Sequence, residues 1–388
     1  MIESSVPLHT KLPKVGDTIF TVMSALASKH GAINLSQGFP DFDIDERLGS
    51  WVNDAINDGK NQYAPRNGAP ELLSAISGFV NKRFGVEYDA SSEIMVSAGA
   101  TEAIFSAISA ILRPDDEAIV FTPAYDCYAP ALDLVGAEVN YIKLKSESNF
   151  EIDWTEVKRK INRKTRLIIL NSPHNPSGAT ITAKDIKELE KLTADKDIII
   201  LSDEVYGEIV FDNKKHHSVI ASESLRARSI VVCSFGKILH STGWKLGYAL
   251  APKAIMQEIL KVHQYNVFSV NHPMQIAIAR YLNEVGIGDL GAFYQKKRDL
   301  FLEHIDTEKF KCIPTSGSYF QLLDIGHLLK DGETDVDFAQ RITIENKVAT
   351  IPVSVFYNND PVGNFVRVCF AKKDETIIEA CKALNAIK

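Results

Sequence analysis

Ser229-Ile-Val-Val-Cys-Ser-Phe-Gly-Lys237, with Thr242-Gly-Trp-Lys245 just beyond it, decides the reading of this chain. Ser229 to Cys233 is an apolar run that reads as a buried strand. Lys237 stands just past its end. Partial desolvation there disfavours the ammonium and favours the neutral amine, a nucleophile able to form a Schiff base. A lysine in such a loop can equally be simply solvated, so the surrounding sequence has to decide between the two.

Outward from this stretch, strands and helices alternate. Glu93–Ser97, Glu117–Phe121, Glu138–Leu144, Arg166–Leu170, Asp197–Leu201, Ser229–Cys233 and Leu246–Leu250 make about seven predicted strands. Arg166–Leu170 and Asp197–Leu201 each carry four consecutive aliphatics behind one charged residue, as expected of strands covered on both faces. Between them lie helical patterns. One runs from Thr101, with Ile104, Phe105, Ile108, Ile111 and Leu112 on one face, and another covers Lys184–Leu192. The pattern predicts an α/β fold with a seven-stranded, mostly parallel sheet. The flanks differ: from about residue 290 the chain reads as helices with two strands, Ser318–Asp324 and Phe365–Phe370, then a helix from Asp374. We therefore expect a large domain over 46–289 and a smaller α+β domain built from both chain ends, 1–45 and 290–388, with a long helix as a possible bridge near 290.

Composition narrows the function. A net charge of −7 without a basic block argues against nucleic acid. No apolar run is long enough to span a bilayer, so no membrane is expected. The first 20 residues lack the basic start and apolar core of a secretory signal. Five cysteines without a Cys/His cluster fit reduced thiols in the cytoplasm and no structural zinc.

Polar residues gather just past the strand ends, where open α/β sheets bind ligands. Gly99-Ala100-Thr101 ends a strand and opens a helix, a place where free N–H groups hold phosphate; the plainer reading is an N-cap threonine. Asn171-Ser-Pro-His-Asn175-Pro-Ser-Gly178 is a proline-rigidified turn presenting a polar side chain, with His174 as a loop cap. Asp203 ends an aliphatic strand, where a carboxylate needs a partner: a helix N-terminus, a cation or a protonated ligand nitrogen. Tyr206 lies three residues on. Arg367 sits inside an apolar strand and suits either a carboxylate ligand or a structural ion pair. Two other motifs are set aside. Gly286-Ile-Gly-Asp-Leu-Gly291 follows a helix, not a strand, so it is no dinucleotide site. His216-His217 reads as part of a surface loop with no third metal ligand.

Taken together, these residues resemble the class I aminotransferases, the fold type I family of pyridoxal 5'-phosphate (PLP) enzymes, over nearly the whole chain. Asn34-Leu-Ser-Gln-Gly38-Phe-Pro-Asp41 is similar to the family's N-terminal substrate segment. Asn61-Gln-Tyr63-Ala-Pro65 resembles a phosphate-binding segment that crosses to the neighbouring subunit. The Asn-x-Pro-x-Asn-Pro, Asp-Glu-x-Tyr and lysine motifs fall at 171–176, 203–206 and 234–245. The segments 262–271 and 349–356 resemble the branch holding methionine and kynurenine/glutamine aminotransferases. The family usually has arginine where this chain has Lys245, which keeps the charge but not the fork.

The resemblance implies roles. Lys237 would carry PLP as an aldimine and move the proton at Cα, in two ping-pong half-reactions. Asp203 would face the ring nitrogen, and Tyr206 and Asn175 the ring oxygen. Tyr125 would stack on the ring. Gly99, Ala100, Thr101, Ser234 and Lys245 would hold the phosphate, with Tyr63 from the other subunit of a homodimer. Arg367 would clamp the substrate carboxylate, assisted by Gly38 and Asn175, with Phe20 and Phe268 in the side-chain pocket. The implied reaction moves the amino group of methionine, and also of aromatic amino acids or glutamine, to a 2-oxo acid. Two alternatives stay open at this point. A Cβ–S lyase on the same scaffold begins with the same deprotonation. A PLP-binding regulatory domain is disfavoured by the full set of catalytic candidates and the lack of a helix-turn-helix.

Overall fold

The computed structural model describes residues 6, 9–13, 15–358 and 360–388. The stretch read as lacking a secretory signal, and the small domain's share of it, include residues 1–5, 7, 8 and 14, which lie outside those described. Thirteen strands form among the described residues, in chain order: β1 (Ile33–Asn34), β2 (Ile94–Ser97), β3 (Glu117–Thr122), β4 (Glu138–Lys143), β5 (Thr165–Asn171), β6 (Ile199–Asp203), β7 (Ser229–Ser234), β8 (Gly247–Leu250), β9 (Lys311–Cys312), β10 (Phe320–Asp324), β11 (Val348–Ala349), β12 (Ile351–Pro352) and β13 (Phe365–Cys369).

Seven of these make one sheet in the order β2-β8-β7-β6-β5-β3-β4, matching the seven predicted strands. Only β8 runs antiparallel to its neighbours, so β2, β5, β6 and β7 all end on the same edge. Register sets the functional residues side by side there. Asn171 lies opposite Asp203, and Gly247 lies opposite both Ser97 and Ser234.

Both faces of the sheet are covered, which is why its strands read as aliphatic runs. Ile168 and Leu170 of β5 enter one core, while Leu167 and Ile169 enter the other. The helix Ala100–Ile111 follows the predicted periodicity and packs Ile104 and Ile108 into the second core. Its N-cap is Gly99 rather than Thr101, and Gly99 makes no side-chain cap, so the first N–H groups face the strand ends.

A second sheet, β12-β13-β10-β9, carries Arg367 on β13. The first described strand of the chain, β1, pairs in parallel with β11, so the N-terminal segment is knitted to the C-terminal part. The stretch expected to bridge near 290 is not one long helix. Helices His272–Glu284 and Leu290–His304 are separated by Val285–Asp289, because Gly286 and Gly288 hold positive φ. Gly291 lies inside the second helix, where a Cβ would stand 2.5 Å from the Val210 carbonyl. The glycines of the rejected dinucleotide motif thus serve a turn and a close helix contact. Among the described residues no helix is long and apolar enough to cross a membrane, and no group of three metal-ligating side chains occurs.

One glycine ties this fold to the strand ends. A Cβ at Gly247 would lie 2.6 Å from the Cys233 carbonyl and 3.0 Å from the Ala100 nitrogen. Both are backbone atoms that cannot swing away. Gly247→Ala is therefore expected to lower stability by about 1–3 kcal/mol, read from the urea midpoint at unchanged m-value.

Candidate active site

At the common edge of β2, β5, β6 and β7 lies a cavity of about 170 Å³. Ten of the residues expected to bind the cofactor line it: Gly99, Ala100, Thr101, Tyr125, Asn175, Asp203, Tyr206, Ser234, Lys237 and Lys245. They come from the ends of five strands, β2, β3, β5, β6 and β7, and the segments that follow them.

Lys237 occupies the short helix Phe235–Ile238 directly after β7. Its Nζ donates to the Gly38 carbonyl at 3.3 Å and is faced by the rings of Tyr206 and Tyr319 at 5.8 and 5.7 Å. The residue borders the cavity and is only partly buried as a whole, yet the amine itself is surrounded by protein. Desolvation brings it down to about 8, against the pull of Cys369 and with the help of Arg367 and Lys245.

Asp203 is buried at the end of β6, and desolvation pushes it up to about 6. Tyr128 donates its hydroxyl to Oδ2 at 2.6 Å, and the Val205 N–H donates to Oδ1 at 3.3 Å; both work against that rise. The aspartate thus caps no helix and meets no ion-pair partner. Tyr206 is buried against Tyr319 and Phe320, which pushes its phenol strongly up. Tyr125 packs edge to face on Tyr128 at 5.9 Å and lines the cavity beside Thr101.

The loop after β5 is braced from within. Asn171 Oδ1 accepts the Asn175 N–H at 2.8 Å, and Asn171 Nδ2 donates to the Asp203 carbonyl at 3.0 Å. His174 caps the loop as expected: Nε2 lies 2.9 Å from the Pro123 carbonyl and Nδ1 2.7 Å from Ser177 Oγ. Burial brings that imidazole down to about 4, so it stays neutral.

Arg367 is 1% exposed and has no carboxylate partner among the described residues. Nη1 donates to Asn175 Oδ1 at 2.6 Å and Nη2 to the Ser36 carbonyl at 3.1 Å, while the buried Nε has no partner. Its guanidinium stacks 3.9 Å from the Phe320 ring centroid and 5.3 Å from that of Phe20. Burial lowers its pKa, as for any cation taken out of water.

Gly38 sits against Phe320 and also accepts the Tyr319 hydroxyl at 2.6 Å. Tyr63 and Phe268 are not brought to the cavity of their own chain. Tyr63 is 79% exposed, and the two rings pack edge to face at 5.0 Å. His216 departs from the surface-loop expectation. It is buried, with Nε2 2.7 Å from Glu204 Oε2, because the carboxylate after Asp203 points to the other side of the strand and needs a partner.

Sequence reading missed Tyr128, Tyr319, Phe320 and Phe356. Tyr128 lies three residues from Tyr125, and Tyr319-Phe320 opens a predicted strand, but nothing local marks either as facing a distant aspartate or arginine.

The cavity has the charge pattern of a site for an anionic, nitrogen-bearing ring compound. Lys237 and Lys245 line it and Arg367 lies behind Asn175, while Asp203 is its only carboxylate among the described lining residues. A Cβ at Gly99 would lie 3.2 Å from Lys245 Nζ, so the ammonium stands beside an uncapped helix start where only a bare backbone fits. Such a cradle suits a phosphate, and the residues present fit PLP.

Comparison with known proteins points the same way. The family model for aminotransferase class I and II matches residues 30–384. The methionine aminotransferase of Escherichia coli (strain K12) is 44% identical over 381 residues, covering 98% of each chain. Kynurenine–oxoglutarate transaminase of Dictyostelium discoideum is 34% identical over 96% of this chain and 94% of its own. Among solved structures, the Escherichia coli methionine aminotransferase superimposes with a TM-score of 0.94 at 43% identity, covering 98% of this chain and 99% of that one. N-succinyldiaminopimelate aminotransferase from Mycobacterium tuberculosis gives 0.93 at 32%, covering 98% and 100%.

The lowered Lys237 carries a stability signature. A lysine whose folded pKa, about 8, lies below its ordinary value of 10.5 destabilises the fold fully below pH 8. That penalty fades as the pH rises toward 10.5. Lys237→Met is thus expected to raise the melting temperature of cofactor-free protein by a few degrees at pH 7, the gain shrinking between pH 8 and 10.5. Calorimetry across that range tests it; a gain independent of pH would reject desolvation as the cause.

Proposed function

Because the chain belongs to the class I and II aminotransferase family, we propose that it transfers the amino group of methionine, and of aromatic amino acids or glutamine, to a 2-oxo acid. One observation carries the reading: Lys237, Asp203 and Asn175 line one cavity with an anion cradle beside them, and Arg367, 192 residues from Asn175 in sequence, is bonded directly behind it. The methionine preference is supported by the Escherichia coli relative, and by the aromatic rather than cationic surroundings of Arg367.

PLP, when bound, supplies the electron sink that makes the substrate Cα–H acidic. The protein's part is binding, orientation and proton transfer. Uncapped N–H groups of Gly99-Ala100-Thr101, with Ser234 and Lys245, would hold the phosphate. Asp203 would offer Oδ1 to the ring nitrogen while Tyr128 fixes Oδ2. Tyr206 and Asn175 would donate to the ring oxygen, and Tyr125 would cover the ring face. Arg367 would bind the substrate carboxylate with its open Nε side, supported by Gly38 and Asn175. Held so, the substrate presents its Cα proton to Lys237 Nζ. Desolvation brings that amine down to about 8, so about half of it is neutral at pH 8, as a general base requires. The same amine then returns the proton.

The same reading makes the protein a homodimer with shared sites, in which Tyr63 and Phe268 reach the partner's cavity. It is supported by the exposure of Tyr63, Tyr265 and Phe268. It also divides the chain into a cofactor-binding unit, 46–289, and a smaller unit of 1–45 with 290–388, in keeping with the β1–β11 pairing. Five free thiols suit a cytoplasmic setting.

Two experiments test this. PLP-loaded protein mixed with L-methionine and no acceptor is expected to release one equivalent of 2-oxo acid per site and no ammonia, and Lys237→Ala none; continuous ammonia release would mark a lyase. Mixed dimers of Lys237→Ala and Tyr63→Ala chains are expected to recover roughly a quarter to a half of wild-type turnover per site, from the one site left intact. No recovery would place Tyr63 in its own chain's site or in none.

A further inference from the structure

Next to the cofactor cavity lies a larger cleft of about 860 Å³. The two share Thr101 and Tyr125 in their walls, so they adjoin. One wall of the cleft carries Val355 and Phe356. Phe356 packs on Phe20 at 6.0 Å, and both rings lie over the Arg367 guanidinium, at 5.5 and 5.3 Å. Through Phe356 the wall of the cleft reaches the ring pair that covers Arg367.

The charges of the cleft are one-sided. Asp17, Asp126 and Asp133 line it, and no lysine, arginine or histidine does so among the described residues. Asp17 and Asp133 sit on the outer rim, exposed to water. Asp126 directly follows Tyr125, the residue common to both cavities. Its carboxyl is reached by solvent in the isolated chain, yet the surrounding walls push it up through desolvation, with Arg367 pulling the other way. The group therefore lies within the electrostatic reach of the arginine that would anchor the substrate.

We infer that Asp126 is a specificity-determining residue that rejects amino acids and 2-oxo acids with a negatively charged side chain, while neutral side chains enter along Phe20 and Phe356. The inference rests on the proposed role of Arg367 and deepens the proposed function by giving its substrate class. The physics is unfavourable placement: a side-chain carboxylate in this cleft would leave water to meet another carboxylate and no cation. A thioether, phenyl or carboxamide side chain carries no such cost.

Glutamine and glutamate are nearly isosteric, so their ratio isolates charge from shape. In PLP-loaded wild type, kcat/KM for glutamine should exceed that for glutamate. In Asp126→Asn and Asp126→Ser the ratio should fall about five- to tenfold, the size expected of one partly screened charge pair. Raising salt should narrow the wild-type ratio and leave the variants' ratio nearly unmoved. A second readout needs no turnover: the Kd ratio of α-methylglutamine to α-methylglutamate, which lack the Cα proton, measured by calorimetry on the loaded protein. It should shift by the same factor. Ratios unchanged in both variants, by turnover and by binding, overturn the role of Asp126. If the wild type binds both α-methyl compounds equally whether or not Arg367 is replaced by Ala, the carboxylate-clamp reading itself has failed.

Discussion

The site depends on a guanidinium buried without a carboxylate. Arg367 comes from a strand near the C-terminus and is held by Asn175 of the loop after β5 and by the carbonyl of Ser36 near the N-terminus. Three distant parts of the chain therefore converge on one cation. Neutral acceptors and aromatic faces leave most of its charge uncompensated. A buried charge so placed costs stability unless an anion arrives. The substrate carboxylate proposed for this position is an anion that would offset that cost.

Lys237 and Asp203 show the same trade-off with opposite sign. Desolvation pulls the amine down to about 8 and pushes the carboxyl up to about 6. Neither group finds a full partner within the chain. Each meets only weak company: a carbonyl for the lysine, a phenol and one N–H for the aspartate. This is a cavity prepared for charges that come from outside, the usual pattern of a site whose chemistry is carried by a cofactor.

What surrounds the cavity is stiff by comparison. Glu204 turns away from the site and is satisfied by Ser202 and His216. Glu102, in the first turn of the helix that opens the phosphate cradle, accepts the Ala98 N–H and the Ser106 hydroxyl and lies 3.1 Å from His263 Nδ1. These networks hold the strand-end loops in place without touching the cavity. They keep its under-satisfied groups from collapsing onto one another, which is what preorganisation requires.

The sequence by itself determined the sheet and the chemistry of its edge. Short aliphatic runs such as Leu167–Leu170, set between turn signals, fit strands covered on both faces, and polar clusters after four of the predicted strands mark one ligand-binding edge, because side-chain period and burial are local properties. The lysine, aspartate and arginine were legible for the same reason: each is a charged residue in an apolar setting. Strand order, and so the meeting of Asn175 with Arg367, was decided only by the tertiary structure, since 192 residues separate the two. So were the Tyr128–Asp203 bond, the burial of His216 against Glu204 and the one-signed charge of the cleft beside the cavity. Pairing across space depends on which surfaces the fold brings within about 3 Å, and no local pattern of residues encodes that.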